Sequence, residues 1–170
     1  MLISPEYQAL NAQMMRDHDG FAVEGHKYAR RVAGFARRIG ARTILDYGAG
    51  RQTLKEALSE LDFDIRGYDP AVPDLSATPV PADLVTCTDV LEHIEPDCLG
   101  EVLADLRRCA VRGAYLIVTT QPARKLLPDG TNPHRIIRPA HWWHTELSGH
   151  FEIAQMTAVK MNKRYEFLCA

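Results

Sequence analysis

Three short stretches of this chain carry residue types whose order could do chemistry. The first is Ile44-Leu45-Asp46-Tyr47-Gly48-Ala49-Gly50, an apolar run with one acid, halted by two glycines. Glycines where a strand turns into a helix let the backbone approach a ligand closely and point free N–H groups at it. Position 52 is Gln, so the third glycine of a dinucleotide fingerprint is missing, and a plain tight turn would need the same glycine pair. The second is Asp69, nineteen residues beyond Gly50. A carboxylate at the end of the next strand can accept two hydrogen bonds from a ribose diol, and beside Pro70 it also reads as a turn residue. The third is Thr86-Cys87-Thr88-Asp89-Val90-Leu91-Glu92-His93-Ile94, which puts two acids and an imidazole just past another strand candidate.

These groups need a scaffold, and the surrounding pattern supplies one. Residues 5–40 read as helical, with Tyr28, Val32, Phe35, Ala36 and Ile39 at helical spacing and Gly40 as the stop. Strand candidates follow at Thr43–Tyr47, Phe63–Tyr68, Asp83–Thr88 and Ala114–Thr119. Between them lie helical stripes of Leu54, Ala57, Leu58 and Leu61, then of Leu99, Val102, Leu103 and Leu106. Strands alternating with helices predict crossover units, hence a mostly parallel sheet with helices on both faces. After Thr120 the order changes to a loop, a short helix at Ala140–Leu147 and two strands, Phe151–Thr157 and Arg164–Leu168, close enough to pair as an antiparallel edge hairpin. The expected class is α/β, doubly wound and Rossmann-like. It forms one domain over 1–170, with an N-terminal helical segment (1–42) ahead of an α/β core (43–170). In such sheets ligands bind at the carboxyl ends of the strands, where all three stretches fall.

The combination Asp46-x-Gly48-x-Gly50, Asp69 and Asp89-Val90-Leu91-Glu92-His93, in this order and spacing, resembles class I S-adenosylmethionine-dependent methyltransferases of the small-molecule branch. The likeness spans roughly residues 24–170 and includes the final antiparallel strand pair. It implies that the Gly48-Ala49-Gly50 turn packs against the methionine part of S-adenosylmethionine, and that Asp46 supports the turn and meets the cofactor's ammonium. It further implies that Asp69 holds the ribose hydroxyls, that Thr88 and Asp89 flank the cofactor near adenine and sulfonium, and that His93 stands near the reaction cleft. S-adenosylhomocysteine would be the product. One departure is plain. Only fourteen residues separate Asp69 from Leu84, too few for the further helix and strand that a complete fold carries on the adenine side.

The acceptor half of the site is expected from Gln121–Trp143, QPARKLLPDGTNPHRIIRPAHWW. A long irregular loop in a compact domain is uncommon unless functional. Cations beside flat aromatics suit an anionic or nucleotide-like acceptor, and Arg124, Arg135, His141 and Trp142 are the expected binding side chains. The tryptophans could equally plug the core. His134 or His93 is the expected general base. His134, His141 and His144 invite a metal reading, but no Cys or carboxylate accompanies them at ligand spacing, so no metal site is expected.

Composition narrows the classes. Twenty basic against twenty-two acidic side chains give a net charge of −2, which does not advertise a nucleic-acid binder. The charge is uneven: residues 43–120 hold six basic against fourteen acidic side chains, between two basic ends, as a cationic ligand bound centrally would favour. The longest apolar run, Ala114–Val118, is too short to span a membrane. The N-terminus shows no secretory pattern, and four scattered cysteines read as reduced thiols, so a cytoplasmic enzyme is expected. No cysteine follows a proline and no DPPY-like tetrad occurs, which argues against cytosine-C5 and amino-adenine DNA methylation. The expected activity is methyl transfer to a small or medium polar acceptor: a metabolite, nucleotide or sugar. A degenerate fold that only binds the cofactor, and transfer of the cofactor's aminocarboxypropyl arm, are the alternatives.

Overall fold

The computed structural model describes residues 1–159 and 163–170. Six strands, β1 (Thr43–Tyr47), β2 (Asp64–Tyr68), β3 (Ala82–Thr88), β4 (Ala110–Thr119), β5 (Ile153–Ala158) and β6 (Arg164–Cys169), form one sheet in the order β2-β1-β3-β4-β6-β5. The first four run parallel, while β6 is antiparallel to β4 and to β5. This is the doubly wound class with an antiparallel edge that the alternation predicts. The order steps outward in opposite directions from β1, so β2 and β3 flank it and their carboxyl ends open a crevice above it. Register places Asp46 opposite both Gly67 and Thr86, and Tyr47 opposite Tyr68.

Successive side chains on a strand point to opposite faces, and both faces here are covered. Leu45, Val85, Leu116 and Phe167 pack with Leu103 and Leu106 of α4 (Leu99–Cys109) and with Trp143 and Leu147 of α5 (Ala140–Ser148). Their neighbours Ile44, Leu84, Ile117 and Leu168 pack on the other face with Val32, Phe35 and Ala36 of α2 (Ala29–Arg38) and Leu54 of α3 (Thr53–Ala57). Trp143 is wholly buried and so serves the core, whereas Trp142 is only partly covered. All four cysteines are buried and free, and no described helix is long and apolar enough to cross a membrane.

The amino-terminal region departs from one continuous helix. Helix α1 (Pro5–Asp17) starts at Ser4, whose hydroxyl caps the Tyr7 N–H at 3.2 Å, and it stops at His18. Residues 18–23 then cross the top of the sheet in turns, with Ala22 at φ 58, before a 3₁₀ turn at Glu24–Tyr28 leads into α2. The helical stripe missed this break because helical periodicity resumes in α2 itself. On the other side, Asp69 to Pro81 holds only a 3₁₀ turn at Pro73–Leu75, and β2 is the sheet edge. The chain therefore runs from β2 to β3 with no further strand, as the short stretch from Asp69 to Leu84 predicts.

Candidate active site

A cavity of about 780 Å³ lies over the carboxyl ends of β1, β2 and β3. Its floor is Asp46 to Ala49 with Tyr68 to Ala71. Its far wall is Thr88 to Val90 and Glu92 to Ile94 with Thr119, Gln121–Lys125 and His134, and its roof comes from α1 and residues 20–22. Of the expected residues, Asp46, Gly48, Ala49, Asp69, Thr88, Asp89, His93, Arg124 and His134 line it. Gly50 stands behind this lining, under Ala22, where a side chain would come within 2.5 Å of the Ala22 Cβ. Arg135, His141 and Trp142 lie outside. The Arg135 guanidinium sits 5.5 Å over the Tyr7 ring and, with Trp142, borders a shallow outer hollow, while His141 is exposed on α5. The loop turns its first half and His134 inward and its second half outward, a choice the sequence pattern did not encode.

The glycine turn differs from the expectation in one respect that decides its chemistry. Its amides are already used: Gly48 and Ala49 N–H both donate to the Tyr68 carbonyl (2.7 and 3.0 Å), and Gly50 N–H donates to Asp69 Oδ2 (2.9 Å). Gly48, at φ 81, is needed because a Cβ there would meet Val90 at 2.4 Å. The turn therefore offers shape without a cluster of donors for phosphate.

What faces the floor instead is acid. Asp69 accepts one amide on each oxygen, from Gly50 (Oδ2) and from Ala71 (Oδ1, 2.9 Å), which leaves each oxygen a further lone pair on the cavity side. Burial raises its pKa, opposed by those two amides. Asp46 accepts a hydrogen bond from the Thr86 hydroxyl at 3.0 Å and makes no ion pair among the described residues. Burial, with the Asp69 charge adding to it, pushes its pKa up to about 6. A desolvated carboxylate at the edge of a cavity is matched by an incoming cation, which restores the charged form.

The far wall is held by a network that the sequence did not announce. Asp89 adopts the left-handed conformation (φ 54), which an Asp tolerates. Its Oδ1 accepts from the Thr119 hydroxyl at 2.8 Å and its Oδ2 from the Tyr28 hydroxyl at 2.7 Å. Arg164, from β6, approaches Asp89 at 3.3 Å and also donates to the Tyr28 hydroxyl and to Glu24. Beyond it Glu92 is fully buried, with its carboxyl pKa raised well above the usual range by burial and then by the Asp89 charge. His93 is pushed down to about 3, by burial first and then by His134, and His134 is lowered by burial as well. Both imidazoles are neutral. Arg164, Tyr28 and Glu24 lie in segments without a motif, and only their packing reveals them.

A family model described as a methyltransferase domain matches residues 18–160. The chain belongs to that family. This methyltransferase domain also has many likenesses among solved structures. The 1,6-didemethyltoxoflavin-N1-methyltransferase of Burkholderia thailandensis, solved with 1,6-didemethyltoxoflavin and S-adenosylhomocysteine, superposes with a TM-score of 0.68 at 18% identity, over 100% of this chain and 91% of that one. The DhpI–SAH complex gives 0.66 at 16% identity, over 97% and 95%. An O-methyltransferase family protein from Burkholderia thailandensis gives 0.58 at 12% identity over 85% of this chain, but only 57% of that protein's length is covered. At such identities these likenesses establish the fold. No curated protein matches in sequence. The methyltransferase domain is thus of the class I, S-adenosylmethionine-dependent family that Asp46, Gly48, Gly50, Asp69 and the 89–93 stretch resemble.

The donor set fits the cofactor this family implies. S-adenosylmethionine brings an ammonium, a sulfonium and a ribose diol and no phosphate. The floor brings two carboxylates, spare lone pairs on Asp69 and no cluster of free amides.

Proposed function

We propose that this methyltransferase domain moves the methyl group of S-adenosylmethionine onto a small or medium polar acceptor, a metabolite, nucleotide or sugar, by in-line displacement. The observation that carries the reading is the polarity of the cavity along its length: uncompensated acid at the strand tips, neutral imidazoles and then cations at the far wall. In this reading Asp46 meets the cofactor's ammonium, Asp69 the ribose diol, and Gly48-Ala49-Gly50 the methionine arm, with Thr88 beside it. Asp89 acts through the wall it braces with Tyr28, Thr119 and Arg164. The sulfonium is a good leaving group, so the protein's work is to hold the nucleophile in line with the methyl, a positioning effect worth several kcal/mol.

The acceptor stands against the neutral imidazoles of His93 and His134. Arg124, Lys125 and Lys163 line the same end and favour an anionic acceptor. A likeness of the same fold, solved with bound 1,6-didemethyltoxoflavin, supports a small acceptor. Incubation with methyl-labelled cofactor and pooled metabolites tests the reading, and label is expected in a polar small molecule. Cofactor binding by calorimetry with no transfer to any extract would reduce the chain to a binding module. Release of methylthioadenosine would reassign it to aminocarboxypropyl transfer.

A further inference from the structure

Three Lewis bases meet on the far wall of the cavity. A carboxylate oxygen of Glu92 and one ring nitrogen each of His93 and His134 all lie within 4.8 Å of one another. Glu92 and His93 sit on the 3₁₀ turn Leu91–His93 that follows β3, and His134 comes from the loop some forty residues later. A backbone bond from the Ile136 N–H to the Glu92 carbonyl, at 3.0 Å, ties the loop to that turn.

Two of the three are oriented from behind. Glu92 Oε1 accepts the Thr119 N–H at 3.0 Å. His134 Nδ1 lies 2.5 Å from the Gln121 carbonyl; a carbonyl only accepts, so Nδ1 carries the hydrogen and Nε2 keeps a free lone pair. A backbone carbonyl behind an imidazole is the arrangement that fixes the ring of a metal-ligating histidine. The rings of His93 and His134 stand edge to face, with centroids 4.7 Å apart.

One of the remaining polar atoms is left without a partner. Glu92 is 0% exposed, and its Oε2 is buried with no hydrogen-bond partner among the described residues. A carboxyl oxygen left without a partner in the interior is costly and calls for an explanation. An acceptor hydroxyl could satisfy that one oxygen. It would not account for two imidazoles brought to the same point. One carboxylate with two imidazoles is a donor set that divalent first-row transition ions take, with coordination positions left over.

We propose that Glu92, His93 and His134 form a binding site for a divalent first-row transition-metal ion whose open positions face the cavity. The sequence pointed away from this, because it paired His134 with His141 and His144, which lie on α5 outside the cavity, and not with the Glu92-His93 pair. The use of the open positions by the acceptor rests on the methyl-transfer reading above; the binding of the ion does not.

Titration of the intact chain with Co²⁺, followed by visible absorption, tests the site. One equivalent is expected to bind with ligand-field bands, and Zn²⁺ is expected to displace it. Glu92→Gln and His134→Ala should each weaken Co²⁺ binding at least tenfold, and His144→Ala should leave it unchanged. Circular dichroism of the same variants checks their fold. Calorimetry with S-adenosylhomocysteine, expected to stay within about threefold of wild type, checks the strand-tip end. No uptake at millimolar Co²⁺, or uptake equally tight in wild type, Glu92→Gln and His134→Ala, overturns the proposal. Co²⁺ binding by a chain that binds no S-adenosylhomocysteine supports the metal site and removes the methyl-transfer reading.

Discussion

The two ends of the cavity are built in different ways. At the strand tips, the carboxylates and the turn they support come from β1, β2 and the few residues after them, and the contacts are mostly between adjacent strands: Gly50 to Asp69, Gly48 to Tyr68, Asp46 to Thr86. At the far wall, Glu24, Tyr28, Asp89, Thr119 and Arg164 converge from the amino-terminal region, β4, β6 and the turn after β3. The first end is specified by local sequence and neighbouring register. The second exists only once the whole chain has folded. A site that must grip one invariant cofactor and also vary its acceptor would divide in this manner, since far-wall side chains can change without disturbing the tips.

Substitutions at the two ends should therefore fail differently. The largest effect is expected from Asp69→Ala, which strands two buried amides, those of Gly50 and Ala71. A stability loss of about 2–4 kcal/mol in denaturant titration and a further ~1–3 kcal/mol loss of cofactor affinity are expected. Intact cofactor affinity would remove Asp69 from the ribose. Next comes Arg164→Met, which takes the cation from Asp89 and Glu24; the fold should lose about 1–3 kcal/mol. Turnover should fall much further than S-adenosylhomocysteine affinity, and an equal fall in both would erase the distinction between the ends.

Asp46→Asn should do the opposite to stability. A buried acid with a folded-state pKa of about 6 favours the protonated form in the folded state. Its unfolded value is about 3.9, so its contribution is fully present below that and is lost as pH rises through 6. The Asn variant, which has no charge to bury, should be more stable than wild type by about 1–2 kcal/mol at pH 7.5, with the gap closing near pH 4, and should bind cofactor less well. A melting comparison across that pH range checks the sign. The smallest effect is expected from Arg135→Ala and His141→Ala, which lie outside the cavity. Both should stay within ~0.5 kcal/mol in stability and leave cofactor affinity and turnover unchanged.

This division also explains what was legible before the fold was known. Alternating strands and helices gave the parallel sheet and its antiparallel edge, because hydrophobic period follows directly from which faces are covered. Asp46, the glycine turn and Asp69 stood out because strand ends lie at predictable places. The short stretch from Asp69 to Leu84 foretold the missing adenine-side strand by chain length alone. Arg164, Tyr28 and Glu24 could not be found this way, since nothing in their neighbours marks them as partners. The loop after β4 reads as a candidate acceptor segment, but which of its residues turn inward depends on the Tyr7 hydroxyl donating to the Pro133 carbonyl at 2.9 Å and on the Ile136 N–H donating to the Glu92 carbonyl. Both are tertiary contacts. The break at residues 18–23 escaped notice because its cause, the Ala22 carbonyl accepting the Arg51 N–H at 3.1 Å, lies across the fold.

The spent amides of the glycine bend have a consequence for selectivity in a crowded cell. Most abundant adenosine compounds, ATP and the dinucleotides among them, carry their negative charge close to the ribose. Presented at this floor they would meet Asp46 and Asp69 with no backbone hydrogen to soften the encounter. A pyrophosphate would find no free amide of Gly48, Ala49 or Gly50 to hold it here.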